Sequence, residues 1–214
     1  MKNERNEQFK TPPVLDVYVA SIPEHAALSE LFPTERNAEV QACTNEKAKR
    51  EKYFVWRLLE YAVKQTLGKD FNALSFQKNE NGKWACKQFE FSLSHADGAV
   101  CVALSLAPVG VDVQPIAPPK TEKTALKIFS EREKTEYASL LQEKKAEYFT
   151  RKWTQRESVF KMRNLPAFFP ALPTLFDEKT VTKTLLLGGK SYSLSVANET
   201  LERLRFYENI KLCE

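Results

Sequence analysis

Residues 89–114 read FEFSLSHADGAVCVALSLAPVGVDVQ, and this stretch decides the fold. Side chains in a strand alternate between faces. Phe89-Glu90-Phe91-Ser92-Leu93 alternates, which predicts a strand ending at Ser94-His95. Gly98 marks a turn, residues 100–106 read as a second strand, and Pro108 breaks it before a third at 109–113. In the third, Val111 and Val113 point to a core, so Asp112 and Gln114 emerge together on the opposite face. An acid between two valines is expensive to bury without a partner. Taken alone, the pattern is an edge strand with Asp112 solvated.

Downstream, Ser130-Glu131-Arg132-Glu133 is a capping box that opens a helix through Leu141. A longer helix is expected over 145–162, with Trp153, Glu157 and Lys161 on one stripe near Phe149 and Phe160. Taken alone, Glu157 and Lys161 make an i,i+4 pair worth about 0.3–0.5 kcal/mol; against the aromatic stripe they also suit a pocket wall. Pro166, Pro170 and Pro173 punctuate a loop, a hairpin of 180–187 and 191–196 turns at Gly188-Gly189, and 201–207 reads as a last strand.

Upstream, residues 14–20 alternate as a strand and 23–31 suit a short helix. Residues 45–67 are strongly helical, with Ala48, Val55, Leu58, Leu59, Ala62, Val63 and Leu67 on one stripe and Gly68 as the stop. A hairpin follows, 73–78 and 83–85 around Asn79-Glu80-Asn81-Gly82, and the polar residues before Pro12-Pro13 read as a frayed tail. The order of elements is α+β, and two versions of one α+β unit are expected, divided near 107–116. His95 sits at a strand end, where functional loops gather, although a lone histidine is more often a structural hydrogen-bonder. Lys83 in its turn and Arg57 on the long helix are solvent-facing charges unless something recruits them.

The chain has 214 residues, 43% hydrophobic and 28% charged, which suits a soluble protein with a sizeable core. Its net charge of +4 is mild and well mixed, so a polyanionic ligand or an acidic partner is allowed. Lys47, Lys49, Arg50 and Lys52 read as a solvated helix face, since no aromatic ladder or groove-reading motif accompanies them; nucleic acid is not an expected partner. No apolar run approaches the ~20 residues of a membrane span. MKNERNEQFK lacks the apolar segment of a secretory signal. Four scattered cysteines and two histidines favour neither a zinc site nor a disulfide framework, and reduced thiols in a cytoplasmic protein are expected.

Taken together and in order, FSLSHADGAVCVAL, VGVDVQPI, IFSEREKTEY and RKWTQRESVFKM resemble the 4′-phosphopantetheinyl transferase superfamily, specifically its long, surfactin-synthetase-activating (Sfp-type) branch. The resemblance runs from about residue 51 to 162, and it rests on the ordered set rather than on one motif. It implies a monomer with a pseudo-two-fold pair of similar α/β halves, residues 1–110 for coenzyme A nucleotide contacts and 111–214 for the metal site and the carrier-protein surface. It implies Mg²⁺-dependent transfer of the 4′-phosphopantetheine arm of coenzyme A to a serine of an apo acyl or peptidyl carrier protein, with adenosine 3′,5′-bisphosphate released. By resemblance, Asp112 and Glu157 bind Mg²⁺, and Glu157 is a candidate base for the carrier serine. Lys161 contacts phosphate, His95 contacts the coenzyme A phosphates, and Arg57 and Lys83 hold the nucleotide end. Arg36 stays unassigned, because its spacing to Arg57 is longer than the family's. The carrier would meet residues 118–140.

One departure matters. Gln114 stands where many Sfp-type enzymes have a second acid. An amide oxygen still ligates Mg²⁺ or orients its water, but one negative charge is missing, worth ~4 kcal/mol gross at ~4 Å and an effective dielectric of ~20. That reads as weakening or reshaping the site. Gln114 is also the sole support for an alternative, a non-catalytic relative that binds coenzyme A or a carrier protein without turnover.

Overall fold

The computed structural model describes residues 15–166, 179–199, 201 and 203–212. The predicted tail before Pro12-Pro13 and the loop prolines Pro170 and Pro173 lie outside the described residues. The architecture is mixed α+β. Strands β1 (Leu15–Ser21), β4 (Glu90–Ala96), β5 (Ala99–Ser105) and β9 (Leu204–Tyr207) form one sheet, in the order β4-β5-β1-β9. Strands β6 (Val109–Pro115), β7 (Thr180–Leu187) and β8 (Lys190–Asn198) form a second, in the order β6-β8-β7. A small hairpin, β2 (Phe76–Lys78) with β3 (Trp84–Cys86), stands beside them.

Alternation decides the layers. On β1 and β5, Tyr18, Ala20, Val100, Val102 and Leu104 pack in a core with α2 (Glu46–Leu67). The other face, Val17, Val19, Ala99, Cys101 and Ala103, packs against Val111, Val113, Leu194 and Val196 of the second sheet. The far side of that sheet carries α5 (Gln142–Met162). The layers therefore run α2, first sheet, second sheet, α5. Helix α2 starts where its sequence says: the Asn45 side chain accepts from the Ala48 N–H at 2.9 Å, and Gly68 ends it in the left-handed region at φ 61°. Ser130 and Glu133 form the expected capping box on α4 (Glu131–Ser139).

Several local expectations fail for tertiary reasons. Residues 23–31 make no helix. Arg50 on α2 donates to the carbonyl of Ala26 at 3.0 Å and to that of Pro23, so a side chain takes up acceptors that a helical turn would use internally. Helix α1 (Thr34–Gln41) forms instead, directly after Pro33. Only Phe76–Lys78 of the stretch 73–78 is strand, because Asp70 caps a 3₁₀ turn over Phe71–Ala73. A short helix, α3 (Glu122–Ile128), occupies a stretch the periodicity left unassigned.

The two sheets meet edge to edge through serines. Ser92 Oγ accepts from the Val111 N–H at 3.0 Å, and Ser94 Oγ accepts from the Val113 N–H at 3.1 Å. Side-chain hydroxyls of β4 thus occupy the place of a strand partner along the free edge of β6. The chain's last strand, β9, runs parallel to β1, and Arg205 clamps the fully buried Asp16 with bonds of 2.6 and 2.7 Å.

Candidate functional site

The candidate site forms where β6 lies against α5, and Gly110 is the reason they lie so close. A Cβ built there would stand 1.8 Å from the carbonyl oxygen of Ser158 and 2.6 Å from the amide nitrogen of Met162. Both are helix backbone, so only glycine allows this contact. The close approach carries Lys161 over Asp112. Lys161 Nζ donates to Asp112 Oδ1 at 2.8 Å and to the carbonyl of Val111 at 3.1 Å.

Asp112 is therefore not the solvated acid of an edge strand. It is 1% exposed, covered by α5 and β4. Ser94 Oγ donates to its Oδ1 at 2.8 Å, and the Gln114 amide nitrogen lies 3.4 Å from Oδ2. Gln114 and Asp112 share a face, as alternation requires. The expected Glu157–Lys161 pair is replaced by Asp112–Lys161, because the buried carboxylate has the greater need of a cation.

Glu157 remains without a hydrogen bond or ion pair among the described residues. Burial, then the charge of Asp112, push its carboxyl up to about 7, with Lys161 opposing. A proton acceptor tuned near neutrality thus sits beside a buried Asp–Lys pair. Such tuning is common where chemistry is done.

His95 lies at the end of β4, with Nδ1 3.0 Å from Glu51 Oε2 on α2. Burial holds its pKa below the ordinary histidine value. Glu51 opposes that shift, while Lys161 and Arg36 add to it. The electrostatic reach of Lys161 ties His95 to the Asp112 cluster. Lys83 also arrives there: its Nζ donates to the Lys161 carbonyl at 3.2 Å, and burial, then Lys161, lower its pKa against the pull of Glu90. The neighbouring turn docks in the same place, with Asn79 and Asn81 donating to Asn164 at 3.0 and 2.8 Å. Lys83 thus answers a carbonyl in the last turn of α5, and the two asparagines fasten the hairpin turn to Asn164 just beyond the helix.

Arg57 is placed elsewhere. It pairs with Glu60 at 2.6 Å and opens on a groove along α2 lined by Tyr53, Phe54, Tyr61 and Lys64. Arg36, left unassigned by the sequence, is 5% exposed. It stacks over Trp56 and bonds to Glu39 and to the Lys52 carbonyl, which makes it part of the packing of α1 on α2.

Sequence reasoning missed Glu51, Ser92 and Ser94. The signals were available: Glu51 is an acid in register with the apolar stripe of α2, and the serines are hydroxyls at alternate positions of one strand, interleaved with Phe91 and Leu93.

Asp112, Glu157 and Gln114 offer only oxygen and amide groups. Among the described residues no group of three His, Cys, Asp or Glu side chains is gathered for a metal ion. A hard, incomplete donor set of this kind fits Mg²⁺, which retains waters and takes remaining ligands from phosphates. Gln114 would contribute its oxygen once the amide is turned about.

The chain matches none of the curated proteins compared. A family model does match part of it, residues 108–201. That segment contains β6, α5, β7 and β8, and with them Gly110, Asp112, Gln114, Glu157 and Lys161. The part of the molecule that joins buried Asp112 to Lys161 is thus similar to the 4′-phosphopantetheinyl transferase superfamily.

Proposed function

We propose that the protein transfers the 4′-phosphopantetheine arm of coenzyme A to a serine of an apo acyl or peptidyl carrier protein, with Mg²⁺, as an Sfp-type enzyme. The observation that supports this most is the Asp112–Lys161 contact across Gly110, within the segment similar to the superfamily. Asp112 and Glu157, with Gln114 beside them, are the oxygen donors for Mg²⁺. When bound, the ion supplies neutralisation of phosphate charge.

The chain's own groups do the rest. Lys161 and His95 donate to the pyrophosphate, and Lys83 adds positive charge from the hairpin turn. Arg57 belongs to the nucleotide end. The carrier serine oxygen attacks the β-phosphorus of coenzyme A, and Glu157 accepts its proton. The bond from that phosphorus to the bridging oxygen breaks, and adenosine 3′,5′-bisphosphate leaves with the electron pair. Catalysis of this type is mainly positioning and charge stabilisation.

The test is intact-mass analysis of several apo-carrier proteins incubated with the protein, coenzyme A and Mg²⁺. One phosphopantetheine should be gained, and the gain should vanish with Asp112→Asn or with chelator. A carrier panel left unmodified by a folded protein that binds coenzyme A would reject the enzyme reading in favour of a binding role.

A further inference from the structure

Glu51 has no place in the reaction as written, yet its position is costly. It lies on the α2 face that packs into the core and is 9% exposed. Its Oε1 is buried with no hydrogen-bond partner among the described residues, while Oε2 is 3.0 Å from His95 Nδ1. An acid tucked against an apolar face with one oxygen unsatisfied weakens the fold. Its one hydrogen bond is to the imidazole. An ionised carboxylate only accepts, so Nδ1 must carry the proton. Two cations act on the ring, Lys161 from α5 and Arg36 from α1; on the near side Asp97 is paired with Lys47 and Lys190, and Lys47 acts more weakly on Glu51 along α2.

We propose that Glu51 is the positioning residue for His95, holding the ring through Nδ1 so that Nε2 meets the coenzyme A phosphates as part of an imidazolium set between two anions. This rests on the transferase reading for its ligand, though not for the Glu51–His95 pairing. In the free protein the neutral ring has its proton on Nδ1 and a lone pair on Nε2. A phosphate arriving at Nε2 therefore brings a proton from solvent, and Glu51 stabilises the cation that results. Without the carboxylate, the ring is free to take the Nε2–H tautomer and bind phosphate with no proton taken up.

Two measurements test this. The chain has two histidines, so imidazole ¹⁵N spectra at pH 8 are simple to assign, and the fully solvated His25 is the internal reference. His95 should show the Nδ1–H tautomer, and Glu51→Gln should shift it towards Nε2–H. Calorimetry of coenzyme A binding in buffers of different ionisation enthalpy should show uptake of about one proton at pH 8 in the wild type and almost none in Glu51→Gln. The variant should bind about tenfold more weakly, the scale of losing one charged hydrogen bond. In a His95→Ala background, Glu51→Gln should have no further effect on affinity, since it acts through the ring.

A wild-type Nε2–H tautomer, or a Glu51→Gln protein with unchanged proton uptake and affinity, overturns the proposal. A wild type with the Nδ1–H tautomer that does not bind coenzyme A overturns the ligand reading and leaves the pairing, so the two failures are distinct.

Discussion

At the scale of single residues, Glu157 and Gly110 each trade stability for placement. The Glu157 carboxyl is pushed up to about 7 from its ordinary 4.5. Between those values the folded state holds a proton that the unfolded state has released. Stability contributed by that proton is whole below about pH 4.5 and is lost as pH rises through about 7. Glu157→Gln cannot titrate, so without divalent ions it should be as stable as the wild type at pH 4 and more stable at pH 8, by up to about 3 kcal/mol. Denaturant midpoints at the two pH values check this, and midpoints that track each other would remove the case for a strained carboxylate. Gly110→Ala acts in the other direction. Its methyl meets helix backbone, which cannot swing aside as a side chain can, so α5 must move off β6. The expected loss is about 1–3 kcal/mol or more, with the Lys161–Asp112 contact loosened. A urea titration that superimposes on the wild type would contradict the close packing.

At the scale of elements, the junction of β4 and β6 separates structure from chemistry. Ser92→Ala leaves the Val111 N–H without its acceptor, and about 1–3 kcal/mol of stability should go with it. Ser94→Ala removes the acceptor of Val113 and also a donor to Asp112. Both variants should lose stability, Ser94→Ala the more because it gives up two bonds, and only Ser94→Ala should also depress phosphopantetheine transfer. Equal activities at matched folded fractions would show that Ser94 serves the edge alone. This junction also marks what the sequence made legible. Local signals carried far: Asn45 and Gly68 bounded α2, Ser130 and Glu133 opened α4, and Gly188-Gly189 turned β7 into β8. Alternation put Asp112 and Gln114 on one face, where they are found. Pattern could not say what would cover that face. Burial of Asp112 depends on the turn of α5 that carries Lys161, 49 residues away in sequence, and periodicity knows nothing of such contacts. The same limit turned the Glu157–Lys161 pair into Asp112–Lys161, and hid Glu51, whose meaning depends on a histidine from another element.

For the whole molecule, the question is whether one chain completes the site. Its parts come from separate places in the sequence: Lys83 from the β2–β3 turn, His95 from β4, Asp112 from β6, and Glu157 and Lys161 from α5. One chain brings them together, because the sheets pack face to face and join along β4 and β6. The free edge of β6 is occupied by serine hydroxyls and is not left open to a second copy. Among the described residues, the large apolar side chains that remain exposed, Phe32, Leu106, Leu126, Leu141 and Leu186, are spread over different segments. Neither feature calls for a partner subunit. Light scattering should therefore give the mass of one chain, 24.6 kDa, with or without coenzyme A. A mixing experiment tests the same point through chemistry. If sites were shared between chains, combining inactive Asp112→Asn with inactive Glu157→Gln would rebuild some sites with both carboxylates intact. With the site inside one chain, each variant carries its own defect into every site, and the mixture should remain as inactive as its components. Recovered transfer on mixing, together with a trimer mass, would move the site to a subunit boundary and undo the one-chain reading.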